Sequence, residues 1–202
     1  MSRQHEKNIR AYDKKAVNYD NTFDGRFTEK FKNALLSVVD LYDGDSVLDI
    51  GCGNGTLLYR LSNIKSITGF GVDISPQMIE TAKAYYPGFK FAVSDCENIP
   101  LDNDSMDIIV VCAAYHHFPN TNAFALEAKR LLKQGGSIYI AEFRLPSVIR
   151  YVANIFLPLS KDGDVKLYSS KEIVDTFSDL GFYHITTTKK AHIQIVRLQK
   201  TD

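Results

Sequence analysis

The stretch that decides the fold is Val47-Leu48-Asp49-Ile50-Gly51-Cys52-Gly53-Asn54-Gly55-Thr56-Leu57-Leu58. Val47 to Ile50 reads as a short buried strand, β-branched at both ends and too short for a helix. Glycines follow at alternate positions, and then Leu57, Leu58 and Leu61 set a helical spacing. A strand, a glycine turn and a helix bring main chain close to a ligand. Glycine accepts backbone angles that other residues resist and carries no side chain to hold a ligand away. The N–H groups opening the next helix point at the same place.

The spacing separates two cofactors. A dinucleotide fingerprint is G-x-G-x-x-G. Here the third glycine comes one residue early, at Gly55, and Thr56 stands where that pattern needs glycine. With Asp49 two residues before Gly51, the string Asp-x-Gly-x-Gly-x-Gly resembles motif I of the class I S-adenosylmethionine (SAM) dependent methyltransferases. That resemblance implies SAM as cofactor, its methionine part packed on a loop formed by Gly51, Cys52, Gly53, Asn54 and Gly55, with Asp49 beside it.

At 202 residues with 45% hydrophobic content, one domain of ordinary size is expected over residues 1–202. The formal net charge of +0 argues against a large basic surface for nucleic acid. Cys52, Cys96 and Cys112 show no metal-ligand spacing and read as small apolar residues near the site. The sequence offers no metal cluster, and none is expected. The first residues, Met1 to Arg10, are polar and do not resemble a signal peptide, and no apolar run approaches a membrane span. The expected location is the cytoplasm.

Strands and helices then alternate, which predicts an α/β fold with a parallel sheet. Phe27, Phe31, Leu35, Val38 and Val39 predict a core-packed helix over about 26–41, closing an N-terminal helical segment over 1–42. A second strand spans Ile67 to Ile74. It places Asp73 twenty residues after Gly53, where a carboxylate can accept both O–H groups of a ribose diol. Ser75 and Pro76 suit the N-cap and first position of the next helix. Phe89, Phe91 and Val93 alternate as a third strand. Met106 to Cys112 is a continuous apolar run, hence a central parallel strand. A helix over Ala123–Leu132 is expected to end on Gly135-Gly136, with a fifth strand after it. Ser169 or Ser170 starts a later helix, and Phe182–Thr188 with Ala191–Leu198 forms a final hairpin.

Further stretches carry the same resemblance. Tyr12-Asp13 and Tyr19-Asp20 are similar to the N-terminal segment of UbiE-like small-molecule methyltransferases, which folds over the cofactor and part of the substrate pocket; Tyr19 is therefore a cofactor-site candidate. Ile99 to Asp107 and Leu131 to Ile140 match common methyltransferase stretches. The resemblance implies a Rossmann-like, doubly wound, seven-stranded sheet with helices on both faces, mostly parallel, its antiparallel last strand at the edge. It also implies that Ile74 and Met78 clamp the adenine, that Asp95 accepts from the adenine amino group, that the Cys96 N–H meets the ring, and that Ala113 borders the cofactor.

Ala113-Ala114-Tyr115-His116-His117-Phe118-Pro119 follows the fourth strand, where an open parallel sheet binds its ligand. His116, His117 and Tyr115 are candidates for a catalytic base, since imidazole titrates near working pH. Packing or backbone bonding of the histidines is the competing reading. The loop lacks Asn/Asp-Pro-Pro-Tyr/Phe, which disfavours methylation of nucleic-acid base nitrogens. Between 144 and 168, Val148, Tyr151, Val152, Ile155, Phe156 and Leu159 share one helical face, which suits a substrate lid, a dimer surface or core. The expected function is methyl transfer to a small-molecule acceptor, with the oligomeric state open. A SAM-binding module without turnover and an NAD-dependent oxidoreductase are the alternatives.

Overall fold

The structure, a computed structural model, describes residues 3–201, so the ends of the 1–202 span lie outside the described residues. It begins with α1 (Arg3–Asp13), a 3-10 turn (Ala16–Asn21) and α2 (Phe23–Leu36). There follow β1 (Ser46–Ile50), α3 (Thr56–Ser62), β2 (Thr68–Asp73), α4 (Pro76–Tyr85), β3 (Lys90–Val93) and β4 (Met106–Cys112). The second half carries α5 (Thr121–Leu131), β5 (Leu132–Phe143), α6 (Ser147–Phe156), α7 (Ser170–Ser178), β6 (Phe182–Lys190) and β7 (Ile193–Lys200).

The strands form one seven-stranded sheet in the order β3-β2-β1-β4-β5-β7-β6. β1 to β5 pair in parallel, and β7 runs antiparallel to both its neighbours. The last strand is thus antiparallel, as expected, but lies one place in from the edge; β6 is the edge strand. The chain reaches the edge first and turns back through Ala191 to fill the gap beside β5.

Side chains alternate across each strand and divide the core into two layers. Leu48, Ile109, Val111, Ile138 and Ile140 face α5 and α7 through Phe124, Ala128, Ile173 and Phe177. Val47, Ile108, Val110, Tyr139 and Ala141 face α2 and α3 through Phe31, Leu35, Leu58 and Leu61. The unbroken apolar run of β4 follows from burial on both faces.

Three expectations are corrected. α2 ends at Leu36, five residues short of the expected helix end; Val38 and Val39 pack from the connecting chain. α5 stops at Leu131 without a glycine cap: Leu132 is already extended and opens β5. Gly135-Gly136 lies inside β5, where the register against β4 shifts between Met106 and Ile108. A Cβ on Gly136 would come within 3.0 Å of the Asp107 carbonyl oxygen, so glycine permits close strand approach there. Ser169 is the cap of α7, in a reciprocal capping box with Glu172.

The apolar face of α6 and of the 3-10 turn after it (Leu157–Leu159) is not core. Val148, Tyr151, Val152, Ile155, Phe156 and Leu159 are between 49% and 78% exposed. No helix among the described residues is long and apolar enough to cross a membrane.

Candidate cofactor and acceptor site

A cavity opens at the carboxyl ends of β1, β2 and β4, where the strand order reverses. Its floor is the glycine loop. Gly51, Gly53 and Gly55 all have positive φ, at 75°, 52° and 80°. A Cβ on Gly51 would lie 2.6 Å from Ala114 Cβ, so the turn also needs the missing side chain. A Cβ on Gly53 would have only Met78 Sδ within 4 Å, at 3.9 Å, and would project into the cavity. The Gly51 and Cys52 N–H groups donate to the Val72 carbonyl oxygen at 2.8 and 3.0 Å, which ties the loop to β2.

Asp73 joins the loop to the next helix. Its Oδ2 accepts from the Gly53 N–H and its Oδ1 from the Ser75 N–H, both at 2.9 Å. Burial pushes the Asp73 pKa up, and the backbone N–H groups work against that shift. Asp95 stands on the opposite wall, where its Oδ1 accepts from the Glu97 and Asn98 N–H groups at 2.9 Å each. Cys96, Ile74, Met78 and Ala113 also line the cavity. Ala113 holds φ at 52°, unusual for a residue with a Cβ, right at the end of β4.

Two predicted cofactor residues lie behind the surface. Asp49 is buried in β1, its Oδ1 without a hydrogen-bond partner. Burial raises its pKa to about 7, with Lys32 opposing and Asp73 adding to the shift. Gly55 does not line the cavity: it faces the rings of Phe91 and Tyr86, and its value is the left-handed turn that opens α3. Both support the loop rather than touch a ligand.

The N-terminal segment closes the cavity from above. Each Tyr-Asp pair sends its tyrosine inward and its aspartate to a loop. Asp13 Oδ1 accepts from Ser75 Oγ at 2.6 Å, at the start of α4. Asp20 Oδ2 accepts from Asn54 Nδ2 at 2.9 Å, on the glycine loop. Tyr12 and Tyr19 line the cavity, and Tyr12 Oη is hydrogen-bonded to His117 Nε2 at 2.9 Å. Burial pushes the Tyr19 hydroxyl to about 12.

The three candidate bases separate. His117 lines the cavity. Burial, and then the neighbouring charge of His116, hold its pKa well below the usual imidazole range. His116 does not reach the cavity; its Nδ1 bonds the fully buried Glu142 carboxylate at 2.9 and 3.0 Å. Burial works to lower the His116 pKa, but the Glu142 carboxylate outweighs it and the net shift is upward. Tyr115 is a correction: its ring is fully buried among Phe118, Phe124 and Tyr168, on the face away from the cavity. In the 3-10 turn Tyr115–His117, successive side chains point about a third of a turn apart, so one of three adjacent residues must enter the core.

Sequence reasoning missed Lys32, Thr28, Asn8 and Ser94, all in the cavity wall. Lys32 and Thr28 sit beside the apolar stripe of α2, a position that reads as surface. The Lys32 ammonium lies 3.8 Å from Asp20 Oδ1 and over the Tyr19 ring. Glu142 left a readable signal: a carboxylate at the carboxyl end of an apolar strand. Helix α6 does not line the cavity. No residue of 144–168 lines the cavity; the loop at 160–165 packs behind it, where Asp162 pairs with Lys15 at 3.0 Å and Asp164 lies 3.2 Å from His117 Nδ1.

Residues 48–140 match the family described as methyltransferase domain. Over that stretch, just under half of the chain, it is similar to a methyltransferase domain. The chain is 33% identical over 106 residues to a phthiotriol/phenolphthiotriol dimycocerosates methyltransferase of Mycobacterium leprae, covering 50% of this chain and 38% of that one. It is 27% identical over 195 residues to an uncharacterised protein of Methanocaldococcus jannaschii, covering 96% and 91%. The chain therefore spans less than half the length of the mycobacterial relative. In fold it is similar to a Haloferax volcanii putative methyltransferase solved in complex with the Trm112 methyltransferase activator. That similarity has a TM-score of 0.84 at 21% identity, covering 95% of this chain and 98% of that one.

SAM is the cofactor that the resemblance implies, and the residues lining the cavity fit it. The open side of Gly53 gives the donor room, Asp73 stands where a ribose diol needs acceptors, and Asp95 borders the space beyond Met78.

Proposed function

We propose that this chain transfers the methyl group of SAM to a small-molecule acceptor. The observation that carries the reading is the roof of the cavity. Tyr12 and His117 bond across it, with Tyr19 and Phe118 beside them, so an acceptor entering under this roof would meet aromatic rings. The mycobacterial relative, a dimycocerosates methyltransferase, is named for a lipid and not for a nucleic acid or protein, which favours the same broad class here.

When bound, SAM supplies a methyl group already activated on a positively charged sulfonium. The chain's own part is to bind, orient and exclude water, and such positioning can supply up to about 7–11 kcal/mol of barrier lowering. Gly53 and Asp73 would hold the amino-acid and sugar ends, and Met78, Ile74 and Asp95 the base. His117, kept neutral by burial, is the group placed to take a proton from an acceptor O–H or N–H. His116 acts through it and Tyr115 takes no part. We take residues 1–202 as one domain, with the 160–165 loop and α1 together as the lid. Its thiols Cys52, Cys96 and Cys112 are unpaired, which goes with a reducing, cytoplasmic setting.

The test is a SAM titration by calorimetry followed by an acceptor screen that reads S-adenosylhomocysteine release. SAM binding with release on small phenols, amines or thiols is the expected result. Binding without release on any acceptor favours the module without turnover. Absence of SAM binding overturns both.

A second reading concerns partners. The Haloferax neighbour was solved with an activator protein, and α6 presents an apolar face to solvent here. Both observations support a protein partner for this chain. Light scattering on the purified protein, alone and with an added activator homologue, measures it.

A further inference from the structure

Beside the cavity, three side chains from two distant parts of the chain converge on one point. They are His116 and His117, on the turn after β4, and Asp164, on the loop before α7. Their ligand atoms all lie within 4.8 Å of one another. Asp164 Oδ1 is 3.6 Å from His116 Nε2 and 3.2 Å from His117 Nδ1. The first distance is too long for a hydrogen bond. His117 Nδ1 is buried, with the Gly163 backbone near it but no well-aligned hydrogen bond. One carboxylate oxygen is thus faced by two imidazole nitrogens without bonding either well.

The spacing has a simple chemical reading. Four ligands at about 2.0–2.1 Å around a tetrahedral ion stand roughly 3.3 Å from one another. Two of the three edges, 3.2 and 3.6 Å, bracket that value, and the third lies within 4.8 Å. The outer partners also fit. A histidine that binds a metal through one nitrogen donates its other N–H to a carboxylate or another acceptor. His116 Nδ1 has Glu142 at 2.9 Å, which leaves Nε2 for an ion. His117 Nε2 has Tyr12 Oη at 2.9 Å, which leaves Nδ1. Main chain holds the two segments together independently of the side chains: the Val165 and Lys166 N–H groups donate to the His116 carbonyl oxygen at 2.8 and 3.3 Å.

We propose that His116, His117 and Asp164 form a binding site for a divalent first-row transition ion. Two imidazoles and one carboxylate suit zinc, cobalt or iron and not magnesium or calcium, which take oxygen ligands. With three protein ligands, the fourth position stays open. The ion would pin the 160–165 loop to the turn that carries His117. The site goes beyond the methyl-transfer reading and competes with one part of it: with an ion on Nδ1 and Tyr12 on Nε2, His117 has no nitrogen left to take a proton. Metal and SAM binding are still measured separately.

The experiment uses the full-length protein stripped with a chelator and titrated with Zn²⁺ and, separately, Co²⁺. The expected result is one equivalent of either ion, with the intense visible absorption of tetrahedral Co²⁺. Glu142→Gln should weaken binding about 10–100-fold, and Asp164→Asn and His116→Gln by more. His184→Gln, changing a histidine on the exposed edge strand β6, should change nothing. Circular dichroism and SAM calorimetry on each variant establish that it folds. A wild-type protein with no tetrahedral Co²⁺ spectrum overturns the proposal, whatever the variants do. So does unchanged affinity in folded Asp164→Asn. In either case the cluster is a proton-holding network in which a charged His116 sits between Glu142 and Asp164.

Discussion

The donor wall of the cavity and its roof are built by different means. The donor wall is made of main chain and short-range contacts: three left-handed glycines, the Val72 carbonyl and the Asp73 carboxylate over twenty residues of sequence. The roof is held by side chains from distant parts of the chain: Tyr12 on His117, Asp13 on Ser75, Lys15 on Asp162. Backbone geometry tolerates little change, because every bond depends on the same dihedral angles. Long-range side-chain bonds can be exchanged one at a time. The donor wall is therefore the fixed half and the roof the adjustable one.

The strongest way to break this contrast is through Asp49. Its pKa is about 7 in the folded chain and about 3.9 in an unfolded one. The folded state therefore holds a proton that the unfolded state has lost between those values. The contribution is fully present below about pH 4 and is lost as pH rises through 7. Its size is on the order of 4 kcal/mol. Urea unfolding from pH 4 to 8 should show wild-type stability falling relative to Asp49→Asn across that window. Parallel curves would mean that the carboxylate is not the strained element of the donor wall.

Asp73→Ala comes next. It removes an acceptor from two backbone N–H groups and from the ribose position, and should weaken SAM binding by about 1.5–3 kcal/mol, read by calorimetry. Gly51→Ala tests the same wall through its backbone. The new Cβ meets Ala114 at a positive φ, so stability should drop by about 1–3 kcal/mol, read from thermal unfolding. Tyr12→Phe tests the roof. Losing the bond to His117 should cost about 0.5–1.5 kcal/mol, leave SAM affinity nearly unchanged, and raise amide exchange across residues 3–21. The smallest effect belongs to Asp162→Ala. Its pair with Lys15 is partly exposed and should be worth less than about 1 kcal/mol. If Tyr12→Phe lowered SAM affinity as much as Asp73→Ala, the division between wall and roof would be false.

The same division explains how much could be read in advance. The glycine loop, Asp73 and the β4 run were legible because each is a local pattern imposed by backbone sterics or burial on both faces. The two Tyr-Asp pairs were legible as a segment over the site, but not their partners, since nothing local says that Asp13 caps α4 while Asp20 reaches Asn54. Tyr115, His116 and His117 are neighbours that a tight turn sends three ways, and no periodicity resolves that. Gly135-Gly136 misled because a glycine pair after a helix marks an end in one setting and a close strand crossing in another. Asp164 was out of reach: its meaning arises only when its loop folds back onto His116.

One ring, His117, is gripped at one nitrogen by Tyr12 and approached at the other by Asp164. The ring therefore couples two strips of chain, and moving either one disturbs its contact with the other. A spent donor that had to pass this ring would leave slowly, and a burst of product in the first cycle would be the kinetic mark of it.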